Sequence, residues 1–216
     1  MTRVVAALAV SVDGFITGRD PGAGRGLGDG GVLFDWYTSG DVPSTVFPGF
    51  HLSAESARVF DALAGSVGVV VTGRHTYDDS GWAEGGAPHP TAPLVIVTHG
   101  PLVAADERQT VVTTGIEDAV ATARGLAGSG DISLQGGGVI TSALAAGLVD
   151  ELILHQVPVL LGAGRRFFQE LPHQVSLEIL EVVAAPDVTH LRLGVIRSSH
   201  VVCVPPAGFE PALGRV

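Results

Sequence analysis

The chain has 216 residues, of which 46% are hydrophobic and 16% charged, so it is long and apolar enough for one well-packed domain. Its net charge is −10 and it has no basic run, which argues against binding to nucleic acid. All 12 basic residues are arginine, and the absence of lysine excludes a lysine Schiff base, a lysine general base and a P-loop lysine.

Metal and targeting signals are weak in this sequence. Cys203 is the only cysteine, so the chain can form neither an internal disulfide nor a cysteine metal cluster. No two histidines are four residues apart, as ligands on one helix face would be, so we expect no metal centre. The apolar segment 4–12 is too short to span a membrane, and Arg3 alone is a weak basic flank for a signal peptide. We therefore expect a cytoplasmic location and no membrane partner.

The first half of the chain alternates strand and helix patterns. Runs of β-branched and apolar residues predict strands, and apolar residues at helical spacing predict a helix capped by Ser53. The predicted elements are a strand at 4–12, a long Gly- and Pro-rich connection at 13–52, a helix at 56–63, and strands at 67–72 and 94–98. A connection as long as 13–52 is usually functional or contains short elements of its own.

The second half continues this alternation and then changes. The predicted elements are a short strand at 110–113, a helix at 116–126, a short strand at 132–134, a helix at 139–146, a strand at 151–157 and an antiparallel pair at 175–183 and 188–195. This order predicts an α/β fold with a mixed, mostly parallel sheet and an antiparallel C-terminal edge. We expect one domain over residues 1–197 and an unstructured tail at 198–216.

Polar residues follow two neighbouring predicted strands. The predicted strand at 67–72 leads into segment 72–76 (TGRHT), and the predicted strand at 94–98 ends in Thr98 and His99. Ligands bind beyond the carboxyl ends of strands in open α/β sheets, and an arginine there marks the 2′-phosphate of an adenine dinucleotide. Arg74 by itself is more often a surface charge, but the hydroxyls and the histidine at adjacent strand ends favour the phosphate interpretation.

Two glycine-rich segments could hold phosphates. Gly136, Gly137 and Gly138 lie between a short strand and a helix start, where backbone N–H groups can approach an anion; a plain tight turn is the alternative. Segment 26–31 (GLGDGG) matches the dinucleotide fingerprint only formally, because no strand precedes it and VLFDWYTSGD after it lacks a helical pattern. We interpret this segment as a flexible loop that can close over a ligand.

The order of these motifs resembles the dihydrofolate reductase-like fold, most closely the stand-alone form of the reductase domain of riboflavin-biosynthesis deaminase–reductases. AALAVSVDGFI at 6–16 resembles the first strand and Ser-x-Asp-Gly motif of that family, and VTGRHTY at 71–77 resembles its Gly-Arg-x-Thr motif. LQGGGVITSAL at 134–144 is similar to the pyrophosphate turn, and AGLVDELILHQVPVLLGAGRRFF at 146–168 is the most specific stretch. The resemblance implies a three-layer fold around a sheet of about eight strands.

The resemblance also implies NADPH lying across the strand ends. The residues that it implies for cofactor binding are Ala7, Ile16, Thr72, Gly73, Arg74, His75, Thr76, Thr98, His99, Gln135, Gly136, Gly137, Gly138 and Val139. Asp13, which follows the first strand, is the candidate catalytic residue that orients or protonates the substrate, although it could equally cap the SVDG turn.

Four residues are candidates for substrate binding. Trp36 and Tyr37 could stack on a planar ring or belong to the core, and Arg165 and Arg166 could hold a substrate phosphate or be surface charges. Family members are commonly dimers, and the apolar strands at the C-terminal end favour a homodimer here.

We therefore expect an NADPH-dependent reductase that transfers a hydride to a C=N or C=O carbon of a small heterocycle, of the 5-amino-6-(5-phosphoribosylamino)uracil reductase type. Dihydrofolate reductases carry an acidic residue on the first helix. The matching place is near Ala57, and Glu55 would point about 200° away from it. Dihydrofolate reduction stays an alternative, as does a non-catalytic dimeric NADP(H)-binding module.

Overall fold

A computed structural model describes residues 2–197. Its strands are β1 (Val4–Ser11), β2 (Val42–Pro43), β3 (His51–Leu52), β4 (Val67–Gly73), β5 (Leu94–Val97), β6 (Gln109–Val112), β7 (Asp131–Gln135), β8 (Glu151–Val157), β9 (Leu177–Ala184) and β10 (Thr189–Val195). Its α-helices are α1 (Ala54–Ser66), α2 (Arg74–Asp79), α3 (Ile116–Leu126) and α4 (Gly137–Ala145), and 3₁₀-helices lie at Gly28–Tyr37 and Trp82–Glu84.

Eight of the strands form one sheet in the order β6-β5-β4-β7-β1-β8-β10-β9. The pairs from β6 through β8 are parallel, and the β8–β10 and β10–β9 pairs are antiparallel. This arrangement confirms the α/β fold class expected from the sequence, with a mostly parallel sheet and an antiparallel C-terminal edge. The short strands β2 and β3 pair with each other apart from this sheet.

One face of the sheet is closed by helices α3 and α4. Alternate strand residues point to this face, and the buried side chains of Val4, Val69, Ile132 and Leu134 pack there against Val120 and other apolar residues of the helices. Most of α4 is buried, which is consistent with its sequence GGVITSALA, which contains no charged residue. This layer is the main hydrophobic core and leaves the opposite face of the sheet for α1 and the loops.

Helix α1 begins where the sequence predicts, since the Ser53 side chain accepts a hydrogen bond from the Ser56 N–H. Its buried residues, including Phe60 and Ala64, pack with Leu33 and Trp36 of the first 3₁₀-helix. That 3₁₀-helix begins inside GLGDGG and continues through the stretch after it, for which no helical pattern was expected. Leu33 and Trp36 are three residues apart and both buried, and this spacing suits three residues per turn.

Other boundaries follow the sequence expectations within a few residues. Helix α4 starts at Gly137, two residues before the predicted start, and the 3₁₀ and β2–β3 elements divide the long connection at 13–52. Between residues 2 and 197 no helix is long and apolar enough to cross a membrane. The cytoplasmic location stays a prediction, and the predicted tail at 198–216 lies outside the described residues.

Candidate active site

A cavity of about 820 Å³ lies on the face of the sheet that α1 partly covers. Its floor includes Ala7 and Ala9 of β1, Ser133 of β7 and His155 of β8. The register places Ala9 opposite His155, so these side chains come from adjacent strands. Ligand pockets typically have volumes of roughly 300–1,000 Å³, so this cavity is large enough for a cofactor with a small substrate.

The polar part of the cavity lies at the carboxyl ends of β4 and β7. It is lined by Thr76, Asp79 and Ser80 after β4, and by Gln135 and Gly136 at the end of β7. Thr72 pairs with Gln135 across the two strands, so the parallel arrangement brings both strand ends to one edge. Asp79 and Ser80 were missed by the sequence analysis, because their places depend on the short helix α2.

The glycine turn is shaped to admit an anion. Gly136 has φ +94°, and a Cβ on it would lie 2.5 Å from Thr76 Oγ1, so the wall has no room for a side chain there. Helix α4 begins at the next residue, and no side chain of residues 2–197 caps its N-terminus. Free N–H groups and a helix dipole at a cavity edge suit a pyrophosphate, so these residues fit the cofactor that the sequence implies.

The apolar part of the cavity is an aromatic wall of Phe34, Tyr37, Phe47, Phe50 and Phe60. Tyr37 stacks on Phe50 with ring centroids 4.5 Å apart. Burial raises the pKa of Tyr37, so its hydroxyl stays protonated. Such a wall favours a planar, poorly charged ring as the second ligand.

Tyr37 and Trp36, both predicted to stack on substrate, have different places. Tyr37 lines the cavity, whereas Trp36 is 2% exposed and lies behind it, with ring centroids 4.2 Å apart. Trp36 contacts the rings of Phe60, His155 and His190, so in this structure it supports the wall. Its contribution to substrate binding stays a prediction.

The predicted cofactor residues divide into two groups. Those that line the cavity are Ala7, Ile16, Thr76, Gln135 and Gly136. Those that lie beside it, without lining it, are Thr72, Gly73, Arg74, His75, Thr98, His99, Gly137, Gly138 and Val139. The second group is gathered around the ends of β4 and β5 and the start of α4, because Gly73 pairs with Val97 and packs against Val139.

Arg74 is half-exposed and already has partners in this corner. Its Nε donates to Asp78 Oδ2 at 2.7 Å, and its Nη1 donates to the Pro101 carbonyl at 3.3 Å. The neighbouring Thr98 hydroxyl donates to the Gly100 carbonyl. An exposed i,i+4 ion pair of this kind is weak, so a phosphate could displace it.

Asp13 lies at the end of β1 with its carboxylate directed to the loop after β8. It accepts hydrogen bonds from the Ser11 hydroxyl at 2.6 Å, the Leu161 N–H at 3.1 Å and the Gly162 N–H at 2.7 Å. The hydrogen bond from Ser11, followed by those from the backbone, lowers the pKa of Asp13. The carboxylate is not part of the cavity lining, and its catalytic role stays a prediction.

The adjacent residues Arg165 and Arg166 place their guanidinium groups in different surroundings. Arg165 lines the polar part of the cavity and forms an ion pair with Asp79. The Arg166 guanidinium lies over the Phe15 ring, 4.7 Å from its centroid, and does not line the cavity. Arg165 therefore has the better position for a ligand phosphate, and neither assignment is tested by this geometry.

The sheet order, the site at the parallel strand ends and the glycine turn together define a dihydrofolate reductase-like fold. The family model described as the RibD C-terminal domain matches residues 2–191. The chain therefore belongs to the RibD C-terminal domain family, as its sequence motifs indicated. A comparison with curated proteins found no match.

Solved structures agree with this fold assignment. A protein from Shewanella sp. PV-4 described as a riboflavin biosynthesis protein has a TM-score of 0.68 and 22% identity, with 91% of this chain and 100% of that chain covered. Dihydrofolate reductase from Enterococcus faecalis, complexed with NADP(H), has a TM-score of 0.57 and 17% identity, with 89% and 96% covered. A pyrimidine reductase-like protein from Corynebacterium diphtheriae has a TM-score of 0.57 and 14% identity, with 91% and 93% covered.

Proposed function

We propose that this protein is an NADPH-dependent reductase of the 5-amino-6-(5-phosphoribosylamino)uracil reductase type. The observation that carries this proposal is one continuous cavity that joins a glycine turn at a helix N-terminus to an aromatic wall. The first feature suits the phosphates of a dinucleotide, and the second suits a planar heterocycle. Family membership and the NADP(H) complex of the Enterococcus reductase support the same interpretation.

When bound, NADPH would supply a hydride for a C=N or C=O carbon of the substrate. The chain's own residues would orient the two ligands. Ala7 and Ile16 would contact the nicotinamide, Gly136 and the start of α4 would hold the pyrophosphate, and Arg165 would face a substrate phosphate. The aromatic wall would exclude water from the reacting carbon and hold the uracil ring.

Two measurements test this function. The wild-type chain should bind NADPH in a thermal-shift titration and oxidise it, with loss of its absorbance, when 5-amino-6-(5-phosphoribosylamino)uracil is added. A panel of oxidised pyrimidines and pteridines, including dihydrofolate, tests the substrate range. Binding of NADPH without oxidation by any of these compounds would favour the non-catalytic binding module instead.

Dihydrofolate reduction is the less favoured enzymatic alternative. Ala57 is buried among apolar residues beside the aromatic wall, and Glu55 is exposed on another side of α1. The cavity side of this helix therefore presents no carboxylate at the place where dihydrofolate reductases anchor the pteridine. Turnover of dihydrofolate at a rate above that of the uracil substrate would reverse this preference.

We expect Arg74→Ala to weaken NADPH binding by roughly 1.5–3 kcal/mol, the usual value of a hydrogen bond to a charged group. NADH has no 2′-phosphate, so its affinity should be almost unchanged. Isothermal titration with both cofactors measures the difference, and Arg124→Ala on the exposed side of α3 is a matched control. Equal losses for both cofactors would remove Arg74 from 2′-phosphate recognition.

We propose that the chain is a homodimer that associates through β9. This strand is an edge of the sheet, and Leu177, Ile179, Leu180 and Val182 on it are exposed, Ile179 by 70%. We expect Ile179→Arg to produce monomers in light scattering at micromolar concentration. Val103→Arg, at an exposed apolar residue outside the sheet, should leave the dimer intact. A monomeric wild-type protein would contradict the proposal.

A further inference from the structure

Two histidines meet in the layer between the sheet and α1. His155 on β8 and His190 on β10 are a register pair of antiparallel strands, and each is 2% exposed. Their Nδ1 atoms are 2.7 Å apart, and His190 Nε2 is 3.0 Å from the Ser56 hydroxyl oxygen. The three side chains thus form one hydrogen-bonded chain that crosses the apolar layer.

The two histidines of this hydrogen-bonded series line different cavities. His155 lines the large cavity, whereas His190 lines a separate cleft of about 260 Å³. Within residues 2–197, no protein group is hydrogen-bonded to His155 Nε2, so this nitrogen is available to a ligand in the cavity. Trp36 and Phe60 contact the His155 ring and hold its orientation.

Both rings are neutral at pH 7. Burial, together with a smaller effect of the neighbouring His190, lowers the pKa of His155 to about 3. Burial also lowers the pKa of His190 to about 4; Arg58 adds to this effect and Glu181 opposes it. The cleft beside His190 also contains Arg3 and Arg192, and each of them forms an ion pair with Glu151.

A neutral pair joined through two Nδ1 atoms shares a single proton in that hydrogen bond. If His190 donates it, His155 carries its own proton on Nε2 and presents a donor to the cavity. If His155 donates it, its Nε2 is a bare acceptor. The Ser56 hydroxyl can donate to a bare His190 Nε2 or accept from a protonated one. The tautomer of His190 therefore decides whether His155 Nε2 is a donor or an acceptor toward a ligand.

We propose that His155 donates the proton that accompanies hydride transfer, and that His190 and Ser56 form a relay behind it. This inference rests on the proposed reductase function. Ala9, the register partner of His155, shares the cavity floor with Ala7, beside the expected nicotinamide position, so His155 lies close to the expected site of reaction.

The relay supplies the proton that hydride transfer requires. Hydride addition forms a C–H bond and moves the π electrons of the C=N or C=O bond to its heteroatom, which takes the proton from His155 Nε2. His155 Nδ1 takes the shared proton from His190 Nδ1. His190 Nε2 takes the proton of the Ser56 hydroxyl, and Ser56 takes a proton from a water molecule, which leaves as hydroxide. The two tautomers re-equilibrate through water after the product has left.

The hydrogen-bonded pair can be tested without any cofactor. In protein labelled with ¹⁵N-histidine, long-range ¹H–¹⁵N spectra at pH 7 should show two neutral rings that share a strongly deshielded proton. His155→Gln and His190→Gln assign the signals, and each should abolish the shared proton. A protonated ring, or two rings without a shared proton, would overturn the relay.

The catalytic step is tested with NADPH and 5-amino-6-(5-phosphoribosylamino)uracil. We expect His155→Gln to lower kcat on the order of 10²-fold, with NADPH affinity unchanged, as for a lost general acid. His190→Gln should lower kcat less and reduce the solvent deuterium isotope effect, while His173→Gln, at an exposed histidine, should match the wild type.

The outcomes separate the two proposals. If the wild type turns over and His155→Gln turns over equally fast, the relay is wrong and the reductase function stands. If the wild type neither binds nor oxidises NADPH, the proposed function fails and the relay fails with it. If His155→Gln does not fold, as a melting curve would show, His190→Gln and the spectra of the wild type still decide the question.

Discussion

Gly137→Ala should destabilise the protein strongly, by about 2–3 kcal/mol, the upper part of the range for forcing an extra methyl group into a packed site. A Cβ at Gly137 would lie 2.5 Å from the Arg166 carbonyl oxygen and 3.0 Å from that of Phe167. Both are backbone atoms, so the start of α4 or the loop at 165–167 would have to move. Urea unfolding followed by circular dichroism measures the loss.

Gly138→Ala is the matched control for this prediction. The nearest atom to a Cβ at Gly138 is Gln169 Nε2, at 3.9 Å, so the methyl group has room. Alanine is also the better helix former, so the free energy of unfolding should be unchanged or slightly raised. Similar losses in both variants would show that the close approach of the loop to Gly137 does not matter to stability. Neither change removes a backbone N–H from the turn.

Asp13→Asn should lower kcat/KM on the order of 10²-fold if Asp13 is the catalytic residue implied by the family resemblance, with NADPH affinity kept. The structure adds a second expectation. One carboxylate oxygen would become an NH₂ group, which cannot accept the N–H of Leu161 or Gly162, so the melting temperature should fall. Steady-state kinetics, a melting curve and a cofactor titration measure the three quantities separately.

Ser11→Ala distinguishes catalysis from loop anchoring at this position. It removes the hydroxyl that donates to Asp13, and keeps the carboxylate and its bonds to Leu161 and Gly162. Because Ser11→Ala leaves this loop anchored, an equal loss of activity in both variants would point to the orientation of the Asp13 carboxylate by Ser11 as the cause. Normal turnover of Asp13→Asn would remove Asp13 from the mechanism, and would leave His155 as the proposed proton donor.

Elements whose residues interact mainly along the chain were predicted well. Helix α3 and strand β8 have the boundaries that the sequence predicted, because apolar spacing and flanking glycines are local signals. The 3₁₀-helix at Gly28–Tyr37 was missed. Its buried residues Gly30, Leu33 and Trp36 lie at a spacing of three. The helix is stabilised by burial of Leu33 and Trp36 against α1 and the sheet, and no local pattern predicts this burial.

The candidate site was predicted in part for the same reason. Strand-end motifs identified Thr76, Gln135 and Gly136, since parallel strands carry their carboxyl ends to one edge. The aromatic wall was found only through Tyr37, because its other members, Phe34, Phe47, Phe50 and Phe60, carry no motif. His155 was seen in the sequence only as one of eight histidines without metal spacing.

The sequence by itself determined the fold class and the family, and it identified candidate cofactor residues at the strand ends, because strand and helix periodicity and short glycine motifs are local properties of the chain. Only the tertiary structure decided which of those residues line the cavity. It brought His155 to His190, 35 residues later, and Asp13 to Leu161, 148 residues later. Such contacts depend on strand order and register, which arise from packing of the whole sheet and have no local signal.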